Sequence, residues 1–193
     1  MKRTLALLAL CVCLFAADPL TAKRSAGNDN VEVEATLWME PSAIAAEVGA
    51  PLEDGMILAR VKWSNKTGNP LHVGPADFVL ISRRNGERAE ALAPGQIAGG
   101  SALIVTRDRS ARLIGSLQNE QGIAGVKGMS KTDQPLNNEL LTTLKAKELP
   151  DRDANKDSVE GLVYFSMDSK KLKLKDLSLL YKGSGGRLTL DFK

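Results

Sequence analysis

The residues best suited to chemistry form an acidic run late in the chain, Asp151-x-Asp153-x-Asn155-x-Asp157. Oxygen ligands at alternate positions are what a calcium-binding loop offers. The run departs from such a loop, because Lys156 stands where the sharp turn requires glycine and the closing glutamate is missing from its place. Calcium bound by Asp151, Asp153, Asn155 and Asp157 is therefore one interpretation, and a solvated loop ahead of a strand is the other. No further cofactor is expected.

Three other kinds of chemistry are conceivable: hydrolysis by carboxylates of the same region, general-base catalysis by the single histidine, and copper binding by methionines. The carboxylates of Asp151, Asp153, Asp157 and Glu160 would serve a hydrolase if two of them faced each other across a cleft. His72 has no recognisable nucleophile or orienting partner beside it in the sequence, so a surface position is favoured over a general base. The methionines show no Met-x-x-Met spacing, and their scatter favours core filling over a copper site.

Arginines flank a predicted turn and recur downstream of it. The candidate residues for partner binding are Arg83, Arg84, Arg88, Arg107 and Arg109. If these residues lie together, they form a basic patch for an anionic glycan or lipid head group. The alternative is edge-strand charge that discourages edge-to-edge aggregation. Nucleic acid is not expected, because 26 basic residues face 23 acidic ones and no aromatic residues alternate with the arginines.

Residues 1–22 have the pattern of an export signal. A basic start precedes an apolar run that ends at Ala17, and small residues precede a predicted cleavage after Ala22. The run is shorter than the roughly 20 residues that cross a bilayer. Both cysteines, Cys11 and Cys13, lie within this signal, and each follows a residue too large for a lipidation site. The sequence therefore predicts a periplasmic or secreted protein without disulfides or a later membrane span.

Alternating apolar residues predict short strands through most of the mature chain. Residues 23–30 are small and polar, and they are predicted to be a flexible lead-in. A two-residue hairpin turn is expected at Asn85-Gly86, because this pair readily takes positive φ angles. The first predicted strands are 31–38, 56–64, 71–73, 77–83 and 87–92.

Residues 94–150 depart from the strand pattern. Residues 94–134 have no steady period and predict a long surface excursion, in which only 102–106 is strand-like. Residues 135–149 predict a helix, since Pro135 suits a first turn and the leucines fall largely on one side. The scaffold does not explain the excursion, which makes it a candidate contact surface.

The densest apolar run of the mature chain covers residues 159–168 and includes Phe165. This run predicts a central strand with both faces covered. Residues 177–181 and 187–192 predict a closing hairpin. With about eight short strands and one helix, the pattern favours a single domain over residues 31–193, a two-sheet antiparallel sandwich, with a closed barrel as the competitor.

Two stretches carry a family resemblance. Between residues 57 and 86, a strand ends in Ser64-Asn65, a turn with Pro70 follows, and the next strand contains Phe78-Val79-Leu80. Between residues 148 and 174, a strand led by Gly161 ends in Phe165 and a leucine-alternating segment follows. Both stretches resemble uncharacterised immunoglobulin-like domains of bacterial exported proteins and lipoproteins. The resemblance implies an immunoglobulin-like β-sandwich outside the cytoplasm and supplies no catalytic residues.

These observations together predict a non-enzymatic exported binding or envelope-accessory module. The partner would be a protein or another envelope component. A calcium-binding or other metal-binding exported protein and a carboxylate-dependent hydrolase are the alternatives.

Overall fold

The computed structural model describes residues 21–99, 137–168 and 172–193. The predicted signal up to residue 20, the strand-like segment 102–106, most of the excursion, Arg107 and Arg109 lie outside these residues. The strands are β1 (Thr21–Gly27), β2 (Val31–Trp38), β3 (Met56–Asn65), β4 (Leu71–Val73), β5 (Phe78–Ser82), β6 (Arg88–Glu90), β7 (Arg152–Ala154), β8 (Ser158–Ser166), β9 (Leu177–Tyr181) and β10 (Leu188–Asp191). The α-helices are α1 (Pro41–Val48), α2 (Pro94–Ile97) and α3 (Asn138–Lys147).

The first sheet has four antiparallel strands in the order β1-β2-β3-β8. The predicted alternation of β2 and β3 is confirmed for the side chains that face the other sheet, which are all buried. On the outer face of β3, Arg60 and Lys62 are exposed, whereas Met56 and Leu58 are buried. The prediction of a flexible lead-in over residues 23–30 is wrong. β1 pairs with β2 along its whole length, from Thr21 opposite Trp38 to Gly27 opposite Glu32. Small polar residues suit an exposed edge strand as well as a loop, so composition did not distinguish the two.

The second sheet has the order β10-β9-β5-β6. Its closing hairpin of β9 and β10 is confirmed. The hairpin of β5 and β6 is also present, but the predicted two-residue turn is wrong. The Ser82 amide donates to the Glu87 carbonyl at 2.9 Å, and the Gly86 amide donates to the Ser82 carbonyl at 2.8 Å. The loop therefore spans Arg83 to Gly86, with positive φ at Gly86.

The two sheets pack face to face around one core, which confirms the antiparallel sandwich. Both sheets contribute large buried side chains to this core, including Trp63, Phe78, Phe165 and Tyr181. The outer face of the first sheet is covered by α1 and α3, whose Ile44 and Leu144 join a second apolar cluster. The first sheet is thus buried on its inner face and, at Met56, Leu58, Leu162 and Tyr164, on its outer face as well, and burial of this apolar surface drives the assembly.

β8 is not the central strand that its apolar run predicted. It is the last strand of the first sheet and pairs with β3. The edge of β8 that faces away from β3 pairs with backbone from outside the sheet: the Leu92 amide donates to the Tyr164 carbonyl and the Leu149 amide to the Leu162 carbonyl, each at 2.8 Å. Phe165 is fully buried within it. The run is apolar because its faces and its edge are all covered.

The expectation of one helix is wrong, because three α-helices occur within the described residues. α1 begins at Pro41, which suits a first turn, and is followed by Gly49 with φ of 91°. α3 begins after Asn137, whose side-chain oxygen accepts from the Leu140 amide at 3.0 Å. No helix in the described ranges is long and apolar enough to cross a membrane.

Candidate functional site

An open groove lies at one end of the sandwich, where β2 and β8 end and β3 begins. The strand register brings these ends together, since Met56 pairs with Ser166 and Trp38 pairs with Leu58. The groove encloses about 950 Å³. Its walls come from separate segments, which are 39–41, Ile44, 52–56, 166–168 and 172–174.

The groove is lined mainly by long apolar side chains. These are Met39, Pro41, Ile44, Leu52, Met56, Met167, Leu172 and Leu174. Met39, Leu52, Leu172 and Leu174 remain partly exposed. Methionine has several rotatable bonds and a polarizable sulfur, so a surface that contains it adapts to different shapes. The groove therefore offers an adaptable apolar surface.

Charged residues also line the groove. Those among the described residues are Glu40, Glu53, Asp54, Asp168 and Lys173. No ion pair to Glu40, Glu53 or Asp54 occurs among the described residues.

A tight connection shapes the floor of the groove. Gly55 has φ of 86°, a conformation that favours glycine, and its carbonyl accepts from the Met167 amide at 3.0 Å. Met167 belongs to the core between the sheets, whereas Met56 belongs to the cluster under the helices. These two thioethers therefore lie on opposite faces of the first sheet, which is unsuitable for joint ligation of one metal ion.

The sequence interpretation did not find this groove, because its walls are far apart in the chain. One local signal was present three times: a methionine stands beside an acidic residue or one step from it at a strand end. The three places are Met39-Glu40, Asp54-Gly55-Met56 and Met167-Asp168. Of these three methionines only Met39 is partly exposed, whereas Met56 and Met167 are buried.

The acidic run is placed in an extended strand and the bend after it. Asp151 and Asp153 flank His72 of β4: His72 Nε2 lies 2.9 Å from Asp151 Oδ1, and Nδ1 lies 3.2 Å from Asp153 Oδ1. Asn155 and Asp157 lie beyond β7 and do not share this contact. In the part of the chain that the structure describes, no group of three or more His, Cys, Asp or Glu residues is placed to hold a metal ion. Calcium binding stays a prediction, and it would require Asp151 to exchange His72 for the cation.

His72 also has a serine nearby, but not in a catalytic arrangement. The Ser184 hydroxyl donates to the backbone carbonyl of His72 at 2.8 Å. Both ring nitrogens of His72 face carboxylates instead, and a general base must reach the proton of its nucleophile. Both contacts are hydrogen bonds only when the ring carries two protons. The arrangement therefore links β4, β7 and the β9–β10 loop.

Three of the five predicted partner-binding arginines are described, and they lie on one hairpin. Arg83 and Arg84 occupy the β5–β6 loop, and Arg88 begins β6. The Arg83 amide donates to the Asp176 carbonyl at 2.7 Å, and its guanidinium donates to the Lys175 carbonyl. Because this contact adjoins the segment 172–174, the loop lies at the same end of the sandwich as the groove. Binding by these arginines stays a prediction.

A second, smaller cavity of about 590 Å³ lies beside α3 and β8. Lys145, Glu148, Asp151 and Glu160 line it. Asp151 and Glu160 belong to the carboxylate set predicted for a hydrolase, whereas Asp153 does not line this cavity. Burial raises the pKa of Glu148, Lys145 lowers it in part, and Asp151 raises it further. A carboxyl group that keeps its proton to higher pH can serve as a general acid.

Comparison with known proteins adds little to this description. No protein-family model matches the chain, and no curated protein matches it. Among solved structures, the chain is similar to ycdA from Bacillus subtilis subsp. subtilis strain 168, a protein that its name classes provisionally as a lipoprotein. The sequence identity is 12%, the TM-score is 0.42, and the match covers 87% of this chain and 38% of that one. This chain thus spans well under half of that protein's length.

Proposed function

We propose that this protein is an exported, non-enzymatic binding domain whose partner docks in the groove at the end of the sandwich. The observation that carries the proposal is a concave surface with partly exposed Met39, Leu52 and Leu172 along its walls. Binding sites are typically concave and mostly apolar, with a few polar groups that fix orientation.

Export is part of the same proposal. It is supported by the basic start, the apolar run and the small residues before the predicted cleavage after Ala22. The partner is accordingly a protein or envelope component outside the cytoplasm. The immunoglobulin-like class of the sandwich also belongs to the proposal, and it is supported by the residue resemblance around Phe78 and Phe165.

A photo-crosslinking experiment tests this function in the envelope of producing cells. A crosslinking residue replaces Leu52 in the groove or, as the matched control, Thr189 on the exposed face of β10. We expect a discrete adduct from position 52 only, identified by mass spectrometry and lost when Met39→Glu is added. A thermal unfolding midpoint close to that of the wild-type protein shows that each variant is folded. Equal labelling at both positions, or none at position 52, contradicts the proposal.

Carboxylate-dependent hydrolysis at the second cavity is the other candidate. The observation that favours it is that burial raises the pKa of Glu148, which lines this cavity together with Asp151 and Glu160. It ranks second because Asp151 already contacts His72, and Glu160 Oε1 lies 3.9 Å from Arg60 Nε. A glycan hydrolysis screen decides it: activity that Glu148→Gln abolishes would favour an enzyme, and no turnover in the wild-type protein would remove the candidate.

A further inference from the structure

We infer that Met39 is a site of methionine oxidation, whose sulfoxide makes one wall of the groove polar while the sandwich stays folded. The reagent class is a two-electron oxygen donor such as hydrogen peroxide or hypochlorous acid. Met39 reacts whichever partner enters the groove, so the inference goes beyond the proposed function.

Solvent exposure separates the three methionines that the structure describes. Met39 is partly exposed in the connection between β2 and α1, whereas Met56 is 8% exposed and Met167 is 4% exposed. An oxidant transfers its oxygen atom only when it reaches the sulfur atom, so a buried methionine reacts only after the fold opens locally. Met39 should therefore react first of the three.

The packing around Met39 allows the fold to accommodate the product. Met39 packs against the core between the sheets and also lines the open groove. An oxygen atom added to its sulfur can therefore stay in contact with water. At Met56 or Met167 the same oxygen would be buried among apolar side chains, which is destabilising.

The distribution of sulfur in the chain directs such an oxidant to methionine. Both cysteines, Cys11 and Cys13, precede the predicted cleavage after Ala22. No thiol in the predicted mature chain therefore competes with the methionines for the oxidant.

The reaction with hydrogen peroxide is a transfer of one oxygen atom. The Met39 sulfur donates an electron pair to one peroxide oxygen, and the S–O bond forms as the O–O bond breaks. The second oxygen leaves as water after proton transfer, so sulfur is oxidised by two electrons and peroxide is reduced by two. Methionine sulfoxide reductases reverse this oxidation, so the change in the groove wall is reversible.

A time course with dilute hydrogen peroxide on the folded, full exported protein tests this site. Digestion and mass spectrometry follow the gain of one oxygen atom at each methionine separately. We expect Met39 to oxidise at least roughly 10-fold faster than Met56 and Met167, because these two react only from opened states. In urea that unfolds the protein, the three rates should converge. Equal rates in the folded protein, or slower oxidation at Met39, would overturn the inference.

Thermal unfolding tests whether the fold accommodates the sulfoxide. A Met129→Leu background is used, because Met129 lies outside the described residues and its oxidation would otherwise overlap. Protein oxidised at Met39 alone should keep its unfolding midpoint, and so should Met39→Gln, which places a polar side chain at the same position. The matched Met167→Gln should lower the midpoint, because that side chain packs in the core between the sheets. A midpoint that falls as far after Met39 oxidation as in Met167→Gln would contradict an oxygen that faces the groove.

Discussion

Replacing Gly161 by alanine should strongly destabilise the protein. Gly161 lies in β8 where the backbone of residues 148–149 crosses the strand edge. An added Cβ would lie 2.4 Å from Leu149 Cα, 2.5 Å from Leu149 N and 2.8 Å from the Glu148 carbonyl carbon. These neighbours are backbone atoms, so no side chain can rotate to make room.

The cost follows from what must move. Relieving the overlap shifts Leu149, which is 1% exposed, and strains the 2.8 Å hydrogen bond that its amide donates to the Leu162 carbonyl. Overpacking a core typically costs about 1–3 kcal/mol, and a lost hydrogen bond adds about 1 kcal/mol. We therefore expect Gly161→Ala to lower the free energy of unfolding by about 2–4 kcal/mol, out of a total of about 5–15 kcal/mol for a typical domain.

Urea denaturation followed by tryptophan fluorescence measures this change, since Trp63 is fully buried. The midpoint should fall while the slope stays the same. Gly95→Ala is the matched control, because a Cβ at Gly95 meets nothing within 4 Å and alanine favours a helix. The reasoning is refuted if Gly161→Ala and Gly95→Ala both stay within about 0.5 kcal/mol of wild type.

Three further predictions follow from buried and titratable groups. Ser82→Ala should leave the free energy of unfolding unchanged or raise it, because this buried hydroxyl has no hydrogen-bond partner in the described structure. Ser178→Ala should lower the free energy of unfolding by about 1–2 kcal/mol, because the Ser178 hydroxyl donates to Asp191 Oδ1 at 2.6 Å. Urea midpoints that fall equally in the two variants would contradict this. Burial raises the pKa of Glu148 above 4.5, so its stabilising contribution is present at low pH and is lost as pH rises through the folded-state pKa. Glu148→Gln should therefore reduce the decline in the free energy of unfolding above pH 4.5, measured by urea denaturation at a series of pH values. The same pH dependence in the variant and the wild-type protein would contradict this role of Glu148. His72→Ala should cost less than about 1 kcal/mol, because the side chains of His72 and its partners are 54%, 68% and 72% exposed, and a larger loss in thermal unfolding would show that this contact is structural.

The period-two pattern was sufficient to predict most of the sandwich. Val33, Ala35 and Leu37 are fully buried on one side of β2, as the alternation with glutamate and threonine indicated. Such alternation is informative because a strand turns successive side chains to opposite faces, and a one-residue slip would expose the whole set. The buried Phe165 of β8 follows from the same rule.

The positions of strands within the sheets could not be predicted in the same way. β8 lies at a sheet edge, but the backbone of Leu92 and Leu149, from distant parts of the chain, covers that edge. The composition of β8 therefore resembles that of a central strand. β1 shows the reverse case. Its small polar residues form a paired strand, since backbone hydrogen bonds to β2 stabilise it without apolar side chains.

The candidate site depended even more on long-range packing. The acidic run suggested a cation loop, but pairing of β7 with β4 extends the chain and turns Asp151 and Asp153 toward His72. The groove joins the end of β2 and the start of β3 with the end of β8, and its lining residues come from two stretches distant in the chain, 39–56 and 166–174. Only their meeting in the folded chain creates this apolar surface.

The most direct test of the groove as the binding surface is amide hydrogen exchange of the protein with and without the partner identified by crosslinking. We expect slower exchange at residues 52–56 and 166–168, with no change at the opposite hairpin of residues 27–31. Protection at that hairpin, or beside α3 at the second cavity, with none at the groove would contradict the account.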